Sequence, residues 1–206
     1  MLHENGINNQ QWLLFCSQLP ANPSSPRVML WRRLRAAGAS GLQNGVWVLP
    51  YSSEQEKLAQ DLQTYVEQQG GSSQVFIATP ANPSTAARVL ELFKTDRTQE
   101  YYEFKEQCQV FLADITKEIE NENYSYAEFE ENEQNLNKLV GWLAKIKQRD
   151  FFGGEQGVEA DALLESCRTA LLEFADRVYR SEGSGLHVNP FQPNENMASS
   201  NDHAQD

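Results

Sequence analysis

The spacing of apolar residues changes once along this chain, at Pro80, and that change restricts the fold more than any single motif. Before Pro80 the apolar residues come in short runs of strand length, broken by Pro, Gly, Asn and Ser. After it they recur at intervals of three and four residues as far as Val178, which is the spacing of one helix face. The chain therefore holds a part built on a sheet and a part built on helices.

The first part reads as β-α-β-β-α-β. Trp12 to Leu19 (WLLFCSQL) is an apolar run of strand length that ends at Pro20. Ser24 or Ser25 can cap a helix with Pro26 in its first turn, running through Val28, Trp31 and Leu34 to Gly38 at C′. Asn44-Gly45 separates Ala39–Gln43 from Val46–Pro50, a strong hairpin signal. Ser52 or Ser53 caps a second helix on Leu58, Leu62, Tyr65 and Val66, and Gly70-Gly71 ends it. Ser73–Thr79 (SQVFIAT) is the fourth strand. This order predicts a ferredoxin-like sheet with two helices on one face, and the fold class is α+β.

The second part reads as a short helical stretch from Thr85 to Phe93, followed by three amphipathic helices. The first of the three carries Tyr101, Phe104, Cys108, Phe111, Ile115 and Ile119. The next begins at a capping box, Ser125 to Glu128, and the last runs through Leu163, Cys167, Leu171, Phe174 and Val178. Short joins predict an antiparallel helical bundle. Boundaries fall at residues 1–11 (a flexible arm), 12–80 (the ferredoxin-like domain), 81–180 (the helical extension) and 181–206 (a disordered tail poor in apolar residues). One five-residue word occurs twice, as Pro20-Ala21-Asn22-Pro23-Ser24 and as Pro80-Ala81-Asn82-Pro83-Ser84. It reads as reused strand-to-helix turn chemistry, or as a pair of anion-binding helix starts. Because the first and fourth strands of such a sheet run antiparallel, the two copies belong at opposite ends and build no joint site.

Charge and residue inventory exclude several classes. The formal net charge is −12, yet residues 11–80 hold five basic and four acidic side chains. Any contact with DNA or another anion is therefore expected there. The three histidines, His3, His187 and His203, lie in the expected floppy ends, which argues against a catalytic imidazole. Cys16, Cys108 and Cys167 form no CxxC pair and read as small core residues. No glycine-rich phosphate loop and no HExxH pattern occurs, so no cofactor, no metal site and no enzymatic activity are expected. With no signal peptide and no membrane-length apolar run, a cytoplasmic location away from the membrane is expected.

Two groups of residues are candidates for a site. Arg27, Arg32, Arg33 and Arg35 share the first helix with Trp31, and guanidinium forks suit phosphates and other oxyanions. Set against this are solvent-facing arginines, some of them paired with the acidic helical part. Glu103, Arg149 and Asp150 are candidates for a site between bundle and sheet, against simple helix termination at Arg149-Asp150-Phe151-Phe152-Gly153.

The words RVMLWRRL (27–34) and LQNGVWVLP (42–50) resemble the N-terminal domain of ChrB chromate-resistance proteins. The later segments EYYEFKEQC, FEENEQNLNKLVGWLAKIKQRDFFG and FADRVY are similar to the helical extension of short members. The GVW hairpin is also similar to the middle domain of PaaX-type repressors and, more distantly, to small CRISPR-associated nucleases. The resemblance implies a regulator of a chromate efflux system and places Arg27, Arg32 and Arg33 on the family's basic helix. The chain departs from it in three ways. Neither the further C-terminal domain of full-length ChrB proteins nor a winged helix before the sheet is expected from this sequence. The nucleases' metal-holding aspartate at the end of the first strand is replaced by Ser17-Gln18-Leu19. Two readings stand. One is a homodimeric regulator whose basic helix contacts DNA or an oxyanion such as chromate. The other is an acidic adaptor for another protein, without direct DNA or chromate binding.

Overall fold

The computed structural model describes residues 11–181. Readings that fall on residues 1–10 and 182–206, including those of the arm, the tail and the three histidines, lie outside the described residues. The elements are β1 (Trp12–Gln18), α1 (Ser25–Ala36), β2 (Ser40–Gln43), β3 (Val46–Pro50), α2 (Ser53–Gln68), β4 (Ser72–Ala78), α3 (Pro83–Glu120), α4 (Tyr126–Arg149) and α5 (Glu155–Ser181).

The sheet order is β2-β3-β1-β4, with β1 antiparallel to both neighbours. This is the ferredoxin-like arrangement within an α+β chain. Leu13 pairs with Leu49 and Ile77, and Phe15 pairs with Trp47 and Val75. Alternation along β1 sends Leu13 and Phe15 to one face and Trp12 and Leu14 to the other. Leu13, Phe15 and Leu49 meet Leu30 and Leu34 of α1 and Leu62 and Val66 of α2, all buried. Each such side chain removed from water contributes on the order of 2 kcal/mol. Gly38 follows α1 with φ +81°, and a Cβ there would lie 2.9 Å from the Phe151 ring, so the C′ turn also needs a residue without a side chain.

The opposite sheet face is covered at one end only. Trp12 stacks on Phe93 of α3 at 5.4 Å, and Phe152 closes on both rings at 6.0 and 5.6 Å. Phe93 belongs to a helix of 38 residues. The expected short stretch from Thr85 and the first bundle helix are one continuous element, because no Gly or Pro interrupts residues 84–120. Thr95-Asp96-Arg97-Thr98 breaks the apolar rhythm without ending the helix. Asp96 finds its partner in α1 and Arg97 pairs with Glu100 one turn along the same helix, which offsets the cost of placing charge there.

Beyond Arg97 the same helix enters the bundle. Phe104, Cys108, Phe111 and Ile115 pack with Leu136, Leu143 and Ile146 of α4 and with Leu164, Cys167, Leu171 and Phe174 of α5. Ser125 caps α4 by accepting the Glu128 N–H at 3.2 Å. Lys147 at the end of α4 meets Asp161 near the start of α5 at 2.5 Å, as antiparallel neighbours do. Among the described residues, no helix is long and apolar enough to cross a membrane.

Candidate functional site

Burial fixes the orientation of α1. Pro26, Leu30 and Leu34 are buried, four residues apart, so the residues between them must turn outward. Arg27, Val28, Met29, Trp31, Arg32 and Arg33 are all exposed. The four arginines do not converge, because successive residues diverge by about 100° around a helix. Arg27 lines a groove beside the sheet. Arg32 stands on the outer surface, and neither Arg27 nor Arg32 has an ion-pair partner among the described residues. Arg33 lies over the Tyr65 ring at 5.4 Å, a cation–π contact within the domain. Arg35 turns toward the long helix, and its Nη1 donates to Asp96 at 2.8 Å.

The groove beside Arg27 measures about 910 Å³. Its walls come from the end of β1 (Ser17, Gln18), from α1 and its N-cap (Arg27 and Trp31, with Ser24) and from the hairpin tip (Asn44, Gly45, Trp47). The tip is pinned: the Ser17 N–H donates to the Gly45 carbonyl at 2.7 Å. Gly45 has φ +75°, and a Cβ there would come within 2.5 Å of the Ser17 carbonyl oxygen. Only glycine fits both the turn and the contact.

A second cluster lies at the junction of sheet and bundle. Glu100 accepts from Arg149 at 3.0 Å and Arg97 at 3.2 Å, and Arg35 stands 4.0 Å away. Asp96 also accepts the Ser40 hydroxyl at 2.9 Å. Arg97 is 5% exposed; burial lowers its pKa, while the Glu100 charge opposes that effect. Tyr101 donates to Asp150 at 3.0 Å, and burial followed by this bond pushes its phenol pKa up. Arg149 and Asp150 thus sit where sheet and bundle meet. Glu103 does not join them: it is exposed and accepts from Gln99 at 2.9 Å, one helical turn away. Glu100, Asp96 and Arg97 were not singled out from the sequence. The available signal was the three-residue spacing of Arg97 and Glu100 inside an otherwise apolar rhythm. Asp96 and Glu100 are held by the chain's own cations and Asp150 by the Tyr101 hydroxyl and the Gly153 N–H, so the chemistry of the cluster is that of a fastening between modules.

Cys167 Sγ donates to the Cys108 carbonyl at 3.6 Å within the bundle core, and the contact between the two thiols, with burial, pushes the Cys108 thiol pKa up. Among the described residues, no group of three or more His, Cys, Asp or Glu side chains could hold a metal ion.

A family model described as "Protein ChrB, N-terminal" matches residues 27–185. The chain belongs to the ChrB N-terminal family. The match takes in both α1, with its arginines, and the three long helices. Protein ChrB of Cupriavidus metallidurans (strain CH34) is 31% identical over 93 residues, which cover 45% of this chain and 28% of that protein. The chain thus spans under a third of the ChrB relative it matches. No solved structure matches this ChrB-family chain.

Proposed function

We propose that this chain serves chromate resistance as a regulatory or binding protein and not as an enzyme. Its contact surface is the outward flank of α1, and its ligand is anionic: DNA phosphate, with chromate as the effector that changes the binding. ChrB family membership supports the tie to chromate resistance. The observation that carries the site is the state of Arg27 and Arg32. In a chain of net charge −12, these two arginines are exposed and have no carboxylate partner among the described residues. Exposed guanidiniums with no partner are the least costly donors to commit to a phosphate, because no existing pair has to break. The non-enzymatic reading is supported by Ser17 and Gln18 at the end of β1, where the small nucleases that the hairpin distantly resembles carry a metal-holding acid.

The test is fluorescence anisotropy of labelled duplex DNA from upstream of the chain's own gene, at two salt concentrations, with and without chromate. Binding is expected to weaken with salt and to be released by chromate. Arg27→Ala with Arg32→Ala is expected to abolish it at moderate salt and to lower the log–log salt slope by about 2. No binding at low salt sinks the DNA reading. The exposed Val28 and Met29 on the same helix favour a protein-adaptor role in that event, and pull-down with and without Val28→Asp checks it.

A further inference from the structure

The groove between α1 and the hairpin tip carries chemistry that a row of phosphate contacts does not need. Trp31 lines it and is 52% exposed, an unusual exposure for the largest apolar side chain. Trp47 forms a half-buried wall. Ser17, Gln18 and Asn44 supply hydroxyl and amide groups that both donate and accept hydrogen bonds. Among the described residues Arg27 is the one charged side chain in the lining, and no carboxylate joins it. Ser24, the N-cap of α1, makes no side-chain bond to the helix start, so the first-turn N–H groups of Ser25 and Arg27 are not capped from within. The volume, about 910 Å³, lies in the range of small-molecule clefts. The pinned Gly45 tip holds the shape before anything binds.

A surface indole, an adjacent guanidinium, amide groups of both polarities and an uncapped helix start select one ligand chemistry: a flat heteroaromatic ring joined to an oxyanion. We propose that this groove is a nucleotide site. The base stacks on Trp31, its edge meets Gln18 and Asn44, and its phosphate is held by Arg27 at the start of α1. The nucleotide comes either free or as an unpaired residue of a DNA strand, since both present the same groups. The site goes beyond the duplex contact proposed above, because stacking on Trp31 requires a base outside a helix.

Isothermal titration of the full chain tests it with four probes: deoxyadenosine monophosphate, deoxyadenosine, inorganic phosphate and a single-stranded oligonucleotide. The monophosphate is expected to bind at least tenfold more tightly than deoxyadenosine or phosphate. Trp31→Ala and Arg27→Gln are each expected to weaken it at least tenfold. Lys57→Gln, which removes an exposed charge outside the groove, is expected to leave it unchanged. Circular dichroism and thermal melts should match the parent, since both groove side chains are exposed. If only the single strand binds and Trp31→Ala abolishes it, the site stands and its source is a strand. The proposal is overturned if neither nucleotide probe binds at millimolar concentration. Equal binding of inorganic phosphate, or indifference to Trp31→Ala, overturns it as well. A failure here leaves duplex binding through Arg27 and Arg32 intact, because Trp31 plays no part in it.

Discussion

The same five residues, Pro-Ala-Asn-Pro-Ser, stand at both ends of the sheet and do different things. In the first copy α1 begins at Ser25, after the word, and its N-cap Ser24 makes no side-chain bond. The Asn22–Pro23 peptide is cis. In the second copy α3 begins inside the word at Pro83, and Asn82 caps it, accepting the Thr85 N–H at 2.9 Å and the Ser84 hydroxyl at 2.7 Å. Because β1 and β4 are antiparallel, Gln18 lies opposite Ser72 and Trp12 opposite Ala78, so the copies sit at opposite sheet ends. The second end is closed by the Trp12, Phe93 and Phe152 rings and by the Glu100 cluster. The first end stays open as the groove. Identical local chemistry thus specifies a turn and a nearby helix, while tertiary surroundings decide which residue caps it and whether that end is sealed.

The largest disturbance of this contrast is expected from opening the sealed end. Phe93→Ala removes a fully packed ring and should cost about 3–5 kcal/mol in urea unfolding. Glu100→Gln leaves the buried Arg97 without its carboxylate and should cost about 3 kcal/mol, read the same way. Capping separates the two copies directly. Asn82→Ala should cost about 1 kcal/mol, and Ser24→Ala only a few tenths, because the first helix start has no side-chain cap to lose. The smallest effect is alkaline. Tyr101 has its pKa raised above its ordinary 10.0, so its contribution is complete below that pH and is lost as pH rises toward the folded value. Stability should therefore fall above about pH 10, as unfolded tyrosine sheds its proton, and Tyr101→Phe should make the fall shallower in melts across pH 9–11.

Much of the fold was legible because local signals agreed with it. Asn44-Gly45 marks the hairpin, Gly38 and Gly70 mark helix ends with φ +81° and +73°, and the Phe104-to-Ile115 spacing marks a buried face. The continuity of α3 was not legible. Thr95 to Gln99 reads as a polar interruption; the tertiary positions of Arg35 and Ser40 give Asp96 its partners, and Arg149 joins Arg97 on Glu100. The candidate site was legible in part. The sequence places four arginines on one helix, but helical phase sends Arg33 to Tyr65 and Arg35 to Asp96, leaving Arg27 and Arg32 outside. The groove could not be read at all, since it is assembled from three segments that meet only after the sheet forms.

The 38-residue α3 has one more consequence. It carries Phe93, which covers the sheet, and Phe104, which fills the bundle, on one rigid rod about 57 Å long. The two modules are therefore set in rotational phase, like two cams on one shaft. One residue inserted between Glu100 and Phe104 would turn the bundle by about 100° against the sheet, so that the bundle core and the Arg149 contact could not both form. A seven-residue insertion, close to two full turns, would nearly restore the angle but move the bundle about 10 Å along the axis. The spacing from Phe93 to Phe104 is thus a setting of the whole molecule, held by length as much as by residue type.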